Sequence, residues 1–109
     1  MAQKTDIRLV KRKIKSYADL LKKRGIRVEK MILFGSYSKG KATSWSDIDL
    51  CVISPEFGRK PWLEVKKLNR LALEIDESLQ PFPFNPSDLN DKYSTLIAEI
   101  KKGQVLEFV

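Results

Sequence analysis

The stretch from Asp47 to Ile53 constrains the fold more than any other part of this chain. Ile48, Leu50 and Val52 alternate with Asp47, Asp49 and Cys51, a period of two that a β-strand lays out on opposite faces. Asp47 and Asp49 therefore share a face, about 7 Å apart at Cα. The apolar alternates point the other way, into a core. Two carboxylates held side by side against an apolar strand repel each other and lose hydration. A divalent cation relieves both costs.

Upstream, Ile26 to Phe34 reads as a second strand whose C-terminal half is apolar on both faces, as a central strand would be. Between the two strands runs a segment rich in Gly, Ser, Lys and Thr, from Gly35 to Ser46. Gly35 lets the backbone approach a phosphate without a Cβ in the way. The following N–H groups and the Ser36 hydroxyl can donate to phosphate oxygens. Gly40 permits a sharp turn, and Lys39 and Lys41 add positive charge. A path from strand to loop to strand would bring this phosphate end against the Asp47–Asp49 end.

The remaining elements fit around that pair. Thr5 to Arg24 reads as a helix, with Ile7, Val10, Ile14, Tyr17 and Leu21 on one face and Gly25 at its end. Pro61 opens a second helix with a stripe of Trp62, Val65, Leu68, Ala72 and Ile75. Leu79 to Phe84 is a third strand, and Pro81 and Pro83 assign it to a sheet edge. Asn85-Pro86 reads as a helix cap. Tyr93 to Lys102 is a helix ended by Gly103, with Leu96, Ile97 and Ile100 on its apolar side, and Val105 to Val109 a short terminal strand. The expectation is one small α+β domain over residues 1–109, a mixed sheet with helices packed on one face.

Composition enters by exclusion. The chain has 109 residues, one cysteine and no histidine. Without histidine there is no Ser-His-Asp triad and no His-ligated zinc. Any metal would rest mainly on carboxylates, which favours a hard cation such as Mg²⁺. The formal net charge of +7 favours anionic partners. There is no stretch of the roughly 20 apolar residues that a membrane span needs, and no secretory signal core is evident. The expected location is the cytoplasm.

The run Gly35-Ser36-Tyr37-Ser38-Lys39-Gly40-Lys41-Ala42-Thr43-Ser44-Trp45-Ser46-Asp47-Ile48-Asp49-Leu50 resembles the signature of the DNA polymerase β-like nucleotidyltransferase superfamily. Over roughly Thr5 to Phe108, the chain looks like the stand-alone minimal nucleotidyltransferases of bacteria and archaea. That resemblance implies phosphate contact by Gly35 and Ser36, with Lys39 beside them, and Mg²⁺ ligation by Asp47 and Asp49 with ATP or another NTP as substrate. It also implies a small helical HEPN protein as partner in a toxin–antitoxin pair, with AMP transferred to a hydroxyl of the toxin. Nucleic acid is not an expected partner. A domain this small leaves much of its cleft open, so a partner or a homodimer is expected to complete it.

Members of that superfamily usually carry a third carboxylate on a neighbouring strand. The slot expected for it, in Leu79 to Phe84, holds Gln80. Glu74, Asp76 and Glu77 would be substitutes in a different register. Without the acid, an alternative reading is an antitoxin that works by binding alone. Trp45 and Tyr37 read either as loop anchors or as covers for a nucleotide base, and Trp62 as core or interface. Phe82 and Phe84 share the face of Gln80. Cys51 reads as a buried small residue, and Ser46 as a turn or cap ahead of Asp47.

Overall fold

The computed structural model describes residues 7–37 and 47–106. In chain order the elements are α1 (Ile7–Lys23), β1 (Lys30–Phe34), β2 (Ile48–Ile53), α2 (Pro61–Leu73), β3 (Leu79–Phe84), a 3-10 turn (Pro86–Asn90), α3 (Thr95–Lys101) and β4 (Gln104–Leu106). Thr5, Lys39, Gly40, Lys41, Trp45 and Ser46, together with positions 107–109, lie outside the described residues.

The four strands form one mixed sheet in the order β3-β2-β1-β4. β1 runs antiparallel to β2 and to β4, whereas β2 and β3 are parallel. The parallel pair is joined through α2, as a parallel connection requires. β3 is an edge strand, and its prolines explain how it tolerates that place. Ser78 and Phe84 turn their carbonyls toward β2, so the alternate positions Pro81 and Pro83 face outward, where a missing N–H costs no ladder bond.

Alternation along β1 and β2 divides the core in two. Met31, Leu33, Ile48, Leu50 and Val52 pack with Val10, Ile14, Tyr17 and Leu21 of α1 and Leu68, Leu71 and Ala72 of α2. Ile32, Phe34, Cys51 and Ile53 face the other way and pack with Ile97 and Ile100 of α3. The two long helices thus share one face, as expected, and the short α3 covers part of the opposite face. Burying each Leu or Ile side chain contributes about 1.5–3 kcal/mol. Tyr17 adds a polar clasp, its hydroxyl donating to the Leu68 carbonyl at 2.9 Å and so tying α1 to α2.

The first strand is shorter than its sequence suggests. Gly25 takes φ +79°, its N–H donates to the Lys22 carbonyl, and the Ile26 N–H donates to the Leu21 carbonyl. That pattern is a Schellman stop for α1. Ile26 is buried as its hydrophobic closure, and pairing in β1 begins at Lys30. The helix expected from Tyr93 starts later for a similar reason. The Ser94 hydroxyl accepts from the Ile97 N–H as N-cap, which leaves Tyr93 outside and exposed. Asn85 caps the turn at Pro86 through a reciprocal bond with Asp88.

Trp62 is the main correction to the apolar stripes. It stands 71% exposed on α2, while Leu68, Leu71 and Ala72 form the buried side. The arc of Leu68, Leu71 and Ala72 packs into the core against the sheet, and Trp62 falls outside it.

Candidate functional site

The site forms where β1 ends and β2 begins. Antiparallel pairing sets Phe34 opposite Asp49, so the chain leaves β1 beside the carboxylate pair. Gly35 takes this exit in the left-handed region, at φ +75°, where a side chain is strained. A second constraint acts at the same residue. A Cβ on Gly35 would run into the Asp49 carboxylate. The glycine backbone and the carboxylate therefore occupy adjoining space, with Ser36 and Tyr37 continuing the turn, all three partly buried.

Asp49 is flanked on both sides within the sheet. Phe34 is its antiparallel partner and Gln80 its parallel partner. Cys51 follows on the same face of β2 and pairs with Phe82. The Phe34 and Phe82 rings meet edge to face, their centroids 5.4 Å apart. Partial burial pushes the pKa of the Asp49 carboxyl up. The neighbouring Asp47 charge pushes it further in the same direction. Asp47 stands exposed at the mouth of the strand.

A half-buried carboxylate beside a second one, with a glycine turn against it, is a donor set suited to a hard divalent cation. Among the described residues no group of three Asp, Glu, Cys or His side chains converges on one point. Asp47 and Asp49 would thus share a cation with water and with oxygens of the bound substrate.

The register settles which residue stands beside Asp49 on the neighbouring strand: it is Gln80. Two of the considered acids are engaged elsewhere. Asp76 pairs with Lys13 at 2.7 Å and accepts from Ser78, contacts that lower its pKa to about 2. Glu74 pairs with Arg24 at 3.4 Å. Glu77 is exposed ahead of β3.

A model of the nucleotidyltransferase domain family matches residues 12–107. The chain belongs to that family. Among curated proteins none matches it. The match spans every described strand and most of α1, so the nucleotidyltransferase domain takes in both the glycine turn and the aspartate pair.

Other nucleotidyltransferase candidates fall into place around this centre. Tyr37 packs against the core under α1 and α2, on the face away from Asp49, which makes it an anchor for the turn. Phe82 and Phe84 pack on the α3 side of the sheet. Cys51 is fully buried, and burial pushes its thiol up to about 12, so it is a packing residue and no nucleophile. Lys39, Trp45 and Ser46 lie outside the described residues. Sequence reasoning did not anticipate the part played by Phe34. Its position beside Asp49 comes from the antiparallel register, which is encoded in pairing across the sheet and in no local motif.

Proposed function

We propose that this nucleotidyltransferase domain transfers AMP from ATP to a hydroxyl of a partner protein, and that the partner is a small helical HEPN-type protein for which it acts as antitoxin. The carrying observation is the contact between the Gly35 turn and the Asp49 carboxylate, with Asp47 one pleat away. Gly35 and Ser36 would offer backbone and hydroxyl donors to the phosphates. Lys39 would add charge beside them. Asp47 and Asp49 would hold Mg²⁺, which when bound neutralises phosphate charge and aligns the oxygens for in-line displacement. In that displacement the acceptor oxygen bonds to the α-phosphorus, the bond to the pyrophosphate oxygen breaks, and the hydroxyl proton passes to solvent. Resemblance of the run from Gly35 to Leu50 to minimal nucleotidyltransferases supports the HEPN pairing.

A second reading rests on Gln80. A neutral amide beside Asp49 is a poor proton acceptor, and general acid–base help typically contributes about 10²–10⁴-fold. The chain would then bind nucleotide and partner with little turnover. Incubation with a HEPN-type protein from the same genome, Mg²⁺ and ATP labelled in its α-phosphate separates the two. Label on the partner that disappears with Asp47→Ala establishes the transferase. A stable complex without label establishes the binding module, and neither label nor complex refutes the antitoxin assignment.

A further inference from the structure

Helix α2 carries an exposed face that neither the core nor the nucleotide site uses. Trp62, Val65, Asn69 and Leu73 follow one another at steps of three and four, so they form one stripe. Trp62 is 71% and Leu73 68% exposed, and Val65 is also open to solvent. Lys66 and Arg70 border the stripe on one side, and Leu63, Lys66, Lys67 and Arg70 line a shallow depression next to it. Among the described residues none of these three cations takes part in an ion pair. The single acid of α2, Glu64, is turned back on the helix start, where it accepts from the N–H groups of Gly58 and Lys60. The face thus carries Trp62, Val65 and Leu73, interrupted by Asn69, and is purely basic along one edge.

We infer that this face docks an amphipathic helix of a partner protein, with Leu-type side chains along its contact stripe and Asp or Glu along the edge that meets Lys66 and Arg70. Charge decides among the possible occupants. A second copy of this face would bring no carboxylate to Lys66 and Arg70, since its Glu64 is turned back on the helix start. Nucleic acid would stack a base on Trp62 at most and leave Val65 and Leu73 against sugar and phosphate, without an apolar counterpart. An acidic amphipathic helix satisfies both halves of the surface at once. The stripe spans about 16 Å from Trp62 to Leu73, at 1.5 Å per residue, so about three turns of a partner helix would cover it. An aromatic anchor inside a charged edge is also the usual composition of a binding hot spot. The face lies on the α1–α2 side of the sheet, opposite Asp49, and the inference does not rest on the chemistry proposed there.

The test uses the whole chain and a fluorescein-labelled helical peptide with a leucine stripe flanked by glutamates, read by anisotropy. Binding is expected, weakened at least tenfold by Trp62→Ala or Leu73→Ser and by the pair Lys66→Glu, Arg70→Glu. The same peptide with lysines in place of glutamates should not bind. Thermal melts of these surface variants should match the parent protein, which separates lost docking from lost folding. Failure of the acidic peptide to bind, or binding that ignores all of these substitutions, would overturn the inference. So would tighter binding of a single-stranded RNA 20-mer, or of phosphatidylserine vesicles, that is lost with the same variants.

Discussion

At Gly35 the backbone angle and the neighbouring carboxylate each exclude a side chain. Gly35→Ala should cost about 1–2 kcal/mol from the left-handed backbone alone, and it should displace Asp49 as well. Thermal melting reads the first effect, and a loss of ATP affinity beyond tenfold reads the second. Asp49 makes a separate prediction. Its carboxyl is raised by burial and then by Asp47, so the folded state holds its proton more tightly than the unfolded chain. The stabilisation this gives is complete below the ordinary value of 3.8 and is lost as pH rises through the raised folded value. At neutral pH without metal, Asp49→Asn should therefore melt higher than the parent, and the gap should close in acid. Asp76 behaves in the opposite sense. Lys13 and Ser78 hold it down at about 2, so its contribution is present above 3.8 and disappears as pH falls toward 2. Asp76→Asn should flatten the acid side of the stability curve, measured by circular dichroism from about pH 5 to pH 2. The aspartate pair and the glycine were legible in the sequence because spacing and residue type carry them. The collision between Gly35 and Asp49 was not, since it depends on which residues face each other across β1 and β2.

Elements were legible where a local rule decides them. α1 followed from its apolar spacing, β2 from alternation, and the edge position of β3 from its two prolines. The start of β1 was misplaced because Ile26 is as apolar as a strand residue, yet it serves the Schellman stop after Gly25. Trp62 reads as core or interface because an aromatic at helical spacing gives no sign of which arc of the helix the sheet will cover; its 71% exposure removes the core alternative. Gly103 shows a local signal with a tertiary cause. It ends α3 as expected, but a Cβ there would lie 2.5 Å from the Leu33 carbonyl oxygen and 2.8 Å from Cγ2 of Ile32. Gly103→Ala should push the α3–β4 junction off β1 and cost about 1–3 kcal/mol, as overpacking does, read from urea denaturation.

In the whole molecule, the sheet brings its chemistry together by combining two kinds of pairing. The antiparallel pairing of β1 with β2 sets Gly35 against Asp49. The parallel pairing of β2 with β3 sets Gln80 on the other side of the same carboxylate. α1 and α2 support this arrangement from one face, and α3 with Phe34 and Phe82 supplies the apolar floor on the other. No helix among the described residues is long and apolar enough to cross a membrane. The central claim is that the glycine turn and the aspartate pair form one nucleotide–metal site. Titration of ATP into the protein with and without Mg²⁺, for the parent and for Asp49→Asn, tests it most directly. Binding should require Mg²⁺ and fall at least tenfold in the variant. Equal ATP affinity in all four titrations would contradict the site.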